Sequence, residues 1–197
     1  PPPRTLAIAA AALLVVVLLG IWGYYLTRDP KSYAARLIED GSYIEAMEVL
    51  DAYVAKEADD SEARVTLGQL QYKNNKFGSA STSFEEALRL NPGDIQAAYW
   101  GLACVIRAGG DDDFAHRRQL LERIVELEPA DGHAWYLLAL ARGATGDLEG
   151  ERRALDRYLS AGGGRELHDW NYGLISALTG DDTAANDAFE SALGGTR

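Results

Sequence analysis

The chain has 197 residues, 47% of them hydrophobic and 25% charged, with 30 acidic residues against 19 basic and a formal net charge of −11. A surplus of that sign argues against nucleic acid or anionic lipid headgroups as partners, since both call for a cationic surface. The single cysteine, Cys104, allows no internal disulfide and says little about redox compartment.

The first predicted element is apolar throughout. Residues 6–26 read LAIAAAALLVVVLLGIWGYYL, 21 residues from Leu6 to Leu26 without a charge. A helix of that length rises roughly 31 Å, the thickness of a bilayer's hydrocarbon core. Trp22, Tyr24 and Tyr25 gather at its C-terminal end, where aromatic rings favour the membrane interface. A cleaved signal peptide fits less well. The run is longer than a usual hydrophobic region, and GIWGYYLTRDP offers no small-x-small cleavage site. Residues 1–28 are therefore expected to be a transmembrane anchor. Asp29-Pro30 follows as a helix start, an N-cap aspartate before a proline at the first helical position. Beyond the anchor, 17 basic residues face 30 acidic ones, a net charge of −13.

Residues 29–197 show no strand-like alternation of any length. They read as helices of about 12 to 15 residues separated by Gly, Asp and Asn. Residues 61–94, SEARVTLGQLQYKNNKFGSASTSFEEALRLNPGD, form a 34-residue unit. Leu67-Gly68 lies in its first helix, Ala80, Phe84 and Ala87 in its second, and Pro92 ends it. The same frame returns over 95–131 with Tyr99, Leu102-Ala103, Leu121 and Pro129, and over 132–165 with Trp135, Leu138-Ala139, Gly146-Asp147 and Leu155. Gly41, Tyr43, Ala46, Leu50 and Tyr53 supply it upstream. Gly180-Asp181, Ala185, Phe189 and Ala192 supply it downstream. Small residues such as Gly68, Ala103, Ala139 and Gly173 let paired helices approach, and Phe84, Leu121, Leu155 and Phe189 fill the wedge between hairpins. The run Ala161-Gly162-Gly163-Gly164 has no terminating proline and suggests a loose or shifted joint.

This pattern resembles the tetratricopeptide repeat (TPR), with its Leu-Gly, aromatic, Ala, Phe and Pro positions. The resemblance covers nearly everything after residue 28. It implies an all-α chain: an N-terminal transmembrane helix followed by a TPR solenoid of about five helical hairpins, here 29–197. The side of the membrane follows less directly. Arg4 precedes the run while Arg28, Lys31 and Arg36 follow it, and that excess points to a cytoplasmic solenoid. Large domains translocate largely regardless of charge, and related anchored TPR proteins are often periplasmic. The expectation is a bacterial-type inner membrane, single pass, leaning periplasmic.

Chemistry-bearing constellations are missing from the sequence. His116, His133 and His168 fall in different units without zinc-ligand spacing. Asp111-Asp112-Asp113 lacks the glycine and spacing of a calcium loop. Gly109-Gly110 and Gly162-Gly163-Gly164 follow no strand and lack a P-loop lysine. Cys104 has no clear cationic activator in the sequence. No enzyme activity, cofactor, metal or small-molecule substrate is expected.

Trp135 and Tyr136 are adjacent and cannot share one helix face. The resemblance implies that first helices line a concave groove, with Trp135 directed into its hairpin core and Tyr136 into the groove. The corresponding groove residues are Val65, Trp100, Tyr136 and Trp170, then Gln69, Cys104, Leu140 and Leu174 a turn later, with Tyr72 nearby. Chaperone-type TPR domains that clamp carboxylates carry Lys, Arg and Asn at such places, so a carboxylate clamp is not expected. A largely apolar groove suits an amphipathic helix, an apolar peptide or another subunit. The expected function is a membrane-anchored scaffold or assembly subunit contacting integral-membrane protein subunits, with the bilayer held through the N-terminal helix. Two alternatives remain: a periplasmic TPR chaperone for unfolded clients, as in cytochrome c maturation, and a regulatory subunit of an enzyme whose active part is on another chain.

Overall fold

The computed structural model describes residues 14, 15, 17, 29–109 and 113–194. Ten α-helices follow one another through residues 30–194, and no strand occurs among the described residues. They are α1 (Pro30–Glu39), α2 (Tyr43–Val54), α3 (Ser61–Lys73), α4 (Phe77–Leu90), α5 (Ile95–Ala108), α6 (Phe114–Leu127), α7 (Gly132–Ala144), α8 (Leu148–Ser160), α9 (Arg165–Leu178) and α10 (Asp182–Gly194). The chain divides into two compact units, Pro1–Ala63 and Arg64–Arg197.

In the first unit, Asp29 caps α1 by accepting from the Lys31 and Ser32 amides, and Pro30 occupies the first turn. Helices α1 and α2 pack as a hairpin that buries Ala34, Leu37, Ala46, Met47, Leu50 and Val54. Lys31 Nζ bridges Asp60 at 2.9 Å and Glu62 at 3.0 Å, and the Tyr53 hydroxyl donates to Asp60 at 3.1 Å.

The second unit is a stack of hairpins in which each of α4 to α9 packs on the helix after it. Four of its helices, α5, α7, α8 and α10, start on a capping aspartate. Asp94, Asp131, Asp147 and Asp181 accept from the amides of Ala97, Ala134, Gly150 and Ala184. Gly146 and Gly180, both at φ 79°, reverse the chain just before Asp147 and Asp181, a conformation side chains with a Cβ resist. Close packing depends on small residues. The Phe84 ring lies against Gly68 and the Phe189 ring against Gly173, where a side chain would collide with either. One core runs from Ala98 and Leu102 through Leu121, Ile124, Leu138 and Leu155 to Ile175, and Phe84, Ala87, Ala97 and Cys104 form a second.

Three expectations change here. The glycine joint is not loose. The Tyr158 ring covers Gly163, and the Tyr158 hydroxyl accepts from the Gly164 amide at 2.8 Å. Trp135 is half-buried, and its indole N–H donates to the Pro129 carbonyl at 2.9 Å, tying α7 to the loop before it. The membrane placement is also corrected. Among the described residues no helix is long and apolar enough to cross a membrane, so single-pass inner-membrane anchoring is not supported. The lipid contact and integral-membrane partners tied to it lose their support as well. Of the proposed anchor, Leu14, Val15 and Val17 are helical and exposed, while Leu6, Trp22, Tyr24, Tyr25 and Leu26 lie outside the described residues.

Candidate partner-binding groove

The residues assigned to the groove divide by burial. Cys104 is 0% exposed, packed with Phe84 and Ala97, and burial pushes its thiol up to about 11. It offers no surface to a partner, a correction to the sequence reading. Trp100 is half-buried, stacked on Phe84 at 6.2 Å and meeting Tyr72 edge-on at 5.2 Å. Tyr72 in turn meets the Phe77 ring at 5.2 Å. Tyr136 is half-buried against Tyr158 at 5.5 Å.

The α5 aromatics are displaced by one position from the expected register. Asp94 and Asp131 cap α5 and α7 in the same way, and counting from them Tyr99, not Trp100, matches Tyr136. The cause lies in α5 itself. Gly101, packed against Leu120 and Phe84, holds the place that Leu138 takes in α7, and the Leu102-Ala103 pair follows one place out of frame. The Tyr99 hydroxyl donates to the Asp131 carboxylate and meets Glu128 at 3.3 Å. Burial and these carboxylates hold the phenol well above its ordinary range.

Exposure concentrates farther along the unit. On α9, Leu167, Trp170, Leu174 and Leu178 are 38%, 47%, 44% and 75% exposed. Their spacing places them on one face of the helix. Leu140 on α7 is 40% exposed and Ile106 on α5 49% exposed. Trp170 leans on Phe189 at 5.2 Å and, with Leu167, Ala192 and Leu193, lines a hollow of about 460 Å³. A second hollow, about 200 Å³, lies where Ile106, Phe114, Arg117, Leu137 and Leu140 of α5, α6 and α7 converge.

The opposite side of α9 is held by polar contacts absent from the sequence reading. His168 Nδ1 meets Asp169 at 2.8 Å and Nε2 meets Asp156 of α8 at 3.3 Å, while Ser191 of α10 donates to Asp169 at 2.5 Å. Burial works to raise the Asp169 carboxyl, but Ser191, His168 and Arg165 outweigh it and hold the group below the usual carboxylate range. Arg152 lies over the Tyr172 ring at 4.4 Å and donates to Ser176 at 3.2 Å. The Ser191 hydroxyl is spent on a carboxylate, not on the imidazole, so this arrangement orients α9 and does not activate a nucleophile. Leu167 and Leu178 were legible in principle. They extend the Trp170–Leu174 spacing by a turn at either end, a periodicity visible once α9 is read as a helix.

These features define a helical-repeat protein whose hairpins bury their cores between neighbours and leave an apolar face open. Tetratricopeptide-repeat models match residues 37–103 and 117–166, more than half of the chain, and the chain belongs to that family. Its fold is shared by solved structures of low identity. Residues 41 to the end of MamA from Desulfovibrio magneticus RS-1 are 23% identical, with a TM-score of 0.55 over 84% of this chain and 92% of that one. MamA of AMB-1 is 15% identical, TM-score 0.63, over 84% and 88%. YrrB, described as a TPR protein with an unusual peptide-binding site, is 17% identical, TM-score 0.62, over 84% of both chains. No curated protein sequence matches the chain.

Proposed function

We propose that this protein is an interaction scaffold whose second unit receives an apolar segment of a partner protein on the face lined by α5, α7 and α9. The observation that carries the reading is the exposed stripe Leu167–Trp170–Leu174–Leu178 on α9. Four large apolar side chains on one face, fixed from behind by the His168–Asp169–Ser191 contacts, are costly to leave in water and suit a hydrophobic segment laid along them. Leu140 on α7 is a further exposed apolar side chain. Stacked helical repeats commonly use such extended surfaces for binding. The peptide-binding site named for YrrB belongs to that protein, and here it adds only that this fold is compatible with such a role.

The test is selection of displayed random peptides on the full chain. The reading expects enriched apolar sequences, with affinity reduced by about 2 kcal/mol or more when Trp170 or Leu174 is changed to Ala, as at an aromatic hot spot. Absence of enrichment, or enrichment indifferent to both substitutions, contradicts it.

A further inference from the structure

The hollow between α5, α6 and α7 is lined by an arginine that forms no ion pair among the described residues. The Arg117 guanidinium sits 5.0 Å above the Phe114 ring, and its Nε is buried without a hydrogen-bond partner. Arg142 and Arg152 also have a bare Nε, but Arg142 pairs with Glu122 at 3.0 Å and donates to the Gly150 carbonyl at 3.1 Å, and Arg152 donates to Ser176. Arg117 shows no such partner among the described residues. Among the described residues no carboxylate lies within ion-pair distance of it, Asp113 at the start of α6 included. A partly desolvated guanidinium without a counter-charge is unfavourable, and a planar carboxylate is its best complement.

The walls around it are Ile106, Phe114, Leu137 and Leu140, all apolar. At about 200 Å³ the hollow is smaller than the roughly 300–1,000 Å³ typical of small-molecule sites. It fits an inserted side chain better than a free ligand. We infer that it takes an aliphatic side chain of a partner protein segment, and that Arg117 pairs with an Asp or Glu close by on the same segment. The inference rests on the reading of this face as a partner-binding surface and adds the partner's chemistry: apolar and locally acidic. It runs against the net charge. A chain at −11 attracts basic peptides at long range, so a selected carboxylate would report a local contact. A clamp for a chain-terminal carboxylate is a different arrangement, because here one arginine on a second helix faces an apolar hollow.

The experiment uses the same peptide selection on the full chain, as wild type, Arg117→Gln and Arg117→Lys, each checked for an unchanged thermal transition. Wild type should enrich peptides with Asp or Glu within four residues of Leu, Ile or Met. Arg117→Gln should lose that acidic preference and Arg117→Lys should keep part of it. With one enriched peptide and its Glu→Gln twin, the exchange should weaken binding to wild type about tenfold, as for a charge-assisted hydrogen bond, and leave binding to Arg117→Gln unchanged. Enrichment that depends on Trp170 but shows no acidic preference overturns this inference and leaves the binding face standing. An equal Glu→Gln effect in both proteins also overturns it. No enrichment at all removes the binding face, and the inference with it.

Discussion

The Phe84 Cζ stands 2.8 Å from the point where Gly68 would carry a Cβ, so α3 and α4 touch through a ring laid on bare backbone. Gly173 and Phe189 repeat the contact between α9 and α10. Gly68→Ala should therefore cost about 1–3 kcal/mol by overpacking, despite alanine's better helix propensity. Gly78→Ala, where nothing lies within 4 Å, should be neutral or slightly stabilising. Urea unfolding of the two variants measures the difference.

Trp100 and Trp170 separate packing from binding. Trp100 stacks on the fully buried Phe84, and Trp100→Ala should cost about 3 kcal/mol of stability, as for a large core truncation. Trp170 is nearly half exposed, and Trp170→Ala should shift the melting temperature much less. Equal shifts would mean that Trp170 is a packing residue.

Cys104 should be inert in the folded protein. With no exposure and a thiol pushed up to about 11, almost no thiolate is present at neutral pH. An aromatic disulfide reagent should modify it only at the rate of unfolding and readily in denaturant. Fast labelling of the native chain would return Cys104 to the groove surface.

Acid should weaken the α9–α10 hairpin. The folded Asp169 carboxyl titrates below its unfolded value, so its contribution is complete above about 3.9 and is lost as pH falls through the lower folded value. Ser191→Ala removes a hydrogen bond to this carboxylate and should cost about 1.5–3 kcal/mol at pH 7. The gap from wild type should narrow below the unfolded carboxylate value. A gap independent of pH would show that Ser191 matters only through packing.

The hairpin stack was legible because its signals are local and repeated. Asp after Gly at 146–147 and 180–181 marks both a helix end and a cap, and Phe84 and Phe189 each find the glycine set by the repeat. Of the residues expected on one face, Trp170, Leu174 and Leu140 are exposed, whereas Trp100 is half-buried and Cys104 is buried. Counted from its Asp94 cap, α5 carries Leu102-Ala103 one place later than α7 carries Leu138-Ala139, so a frame set on that pair is off by one, and a shift of one residue on a helix exchanges groove for core. Arg117 gave no signal in the sequence. An arginine on a polar helix such as α6 is ordinary, and its isolation depends on which side chains surround it in space.

The central claim is that the α9 stripe is covered by a partner. A photo-crosslinking residue in place of Leu174, in the full chain expressed in its own cells, tests this most directly, with Arg153 on α8 as a second exposed position. A discrete protein adduct is expected from position 174, lost on Trp170→Ala and absent from position 153. An adduct from 153 but not 174, or one at 174 that survives Trp170→Ala, would contradict it.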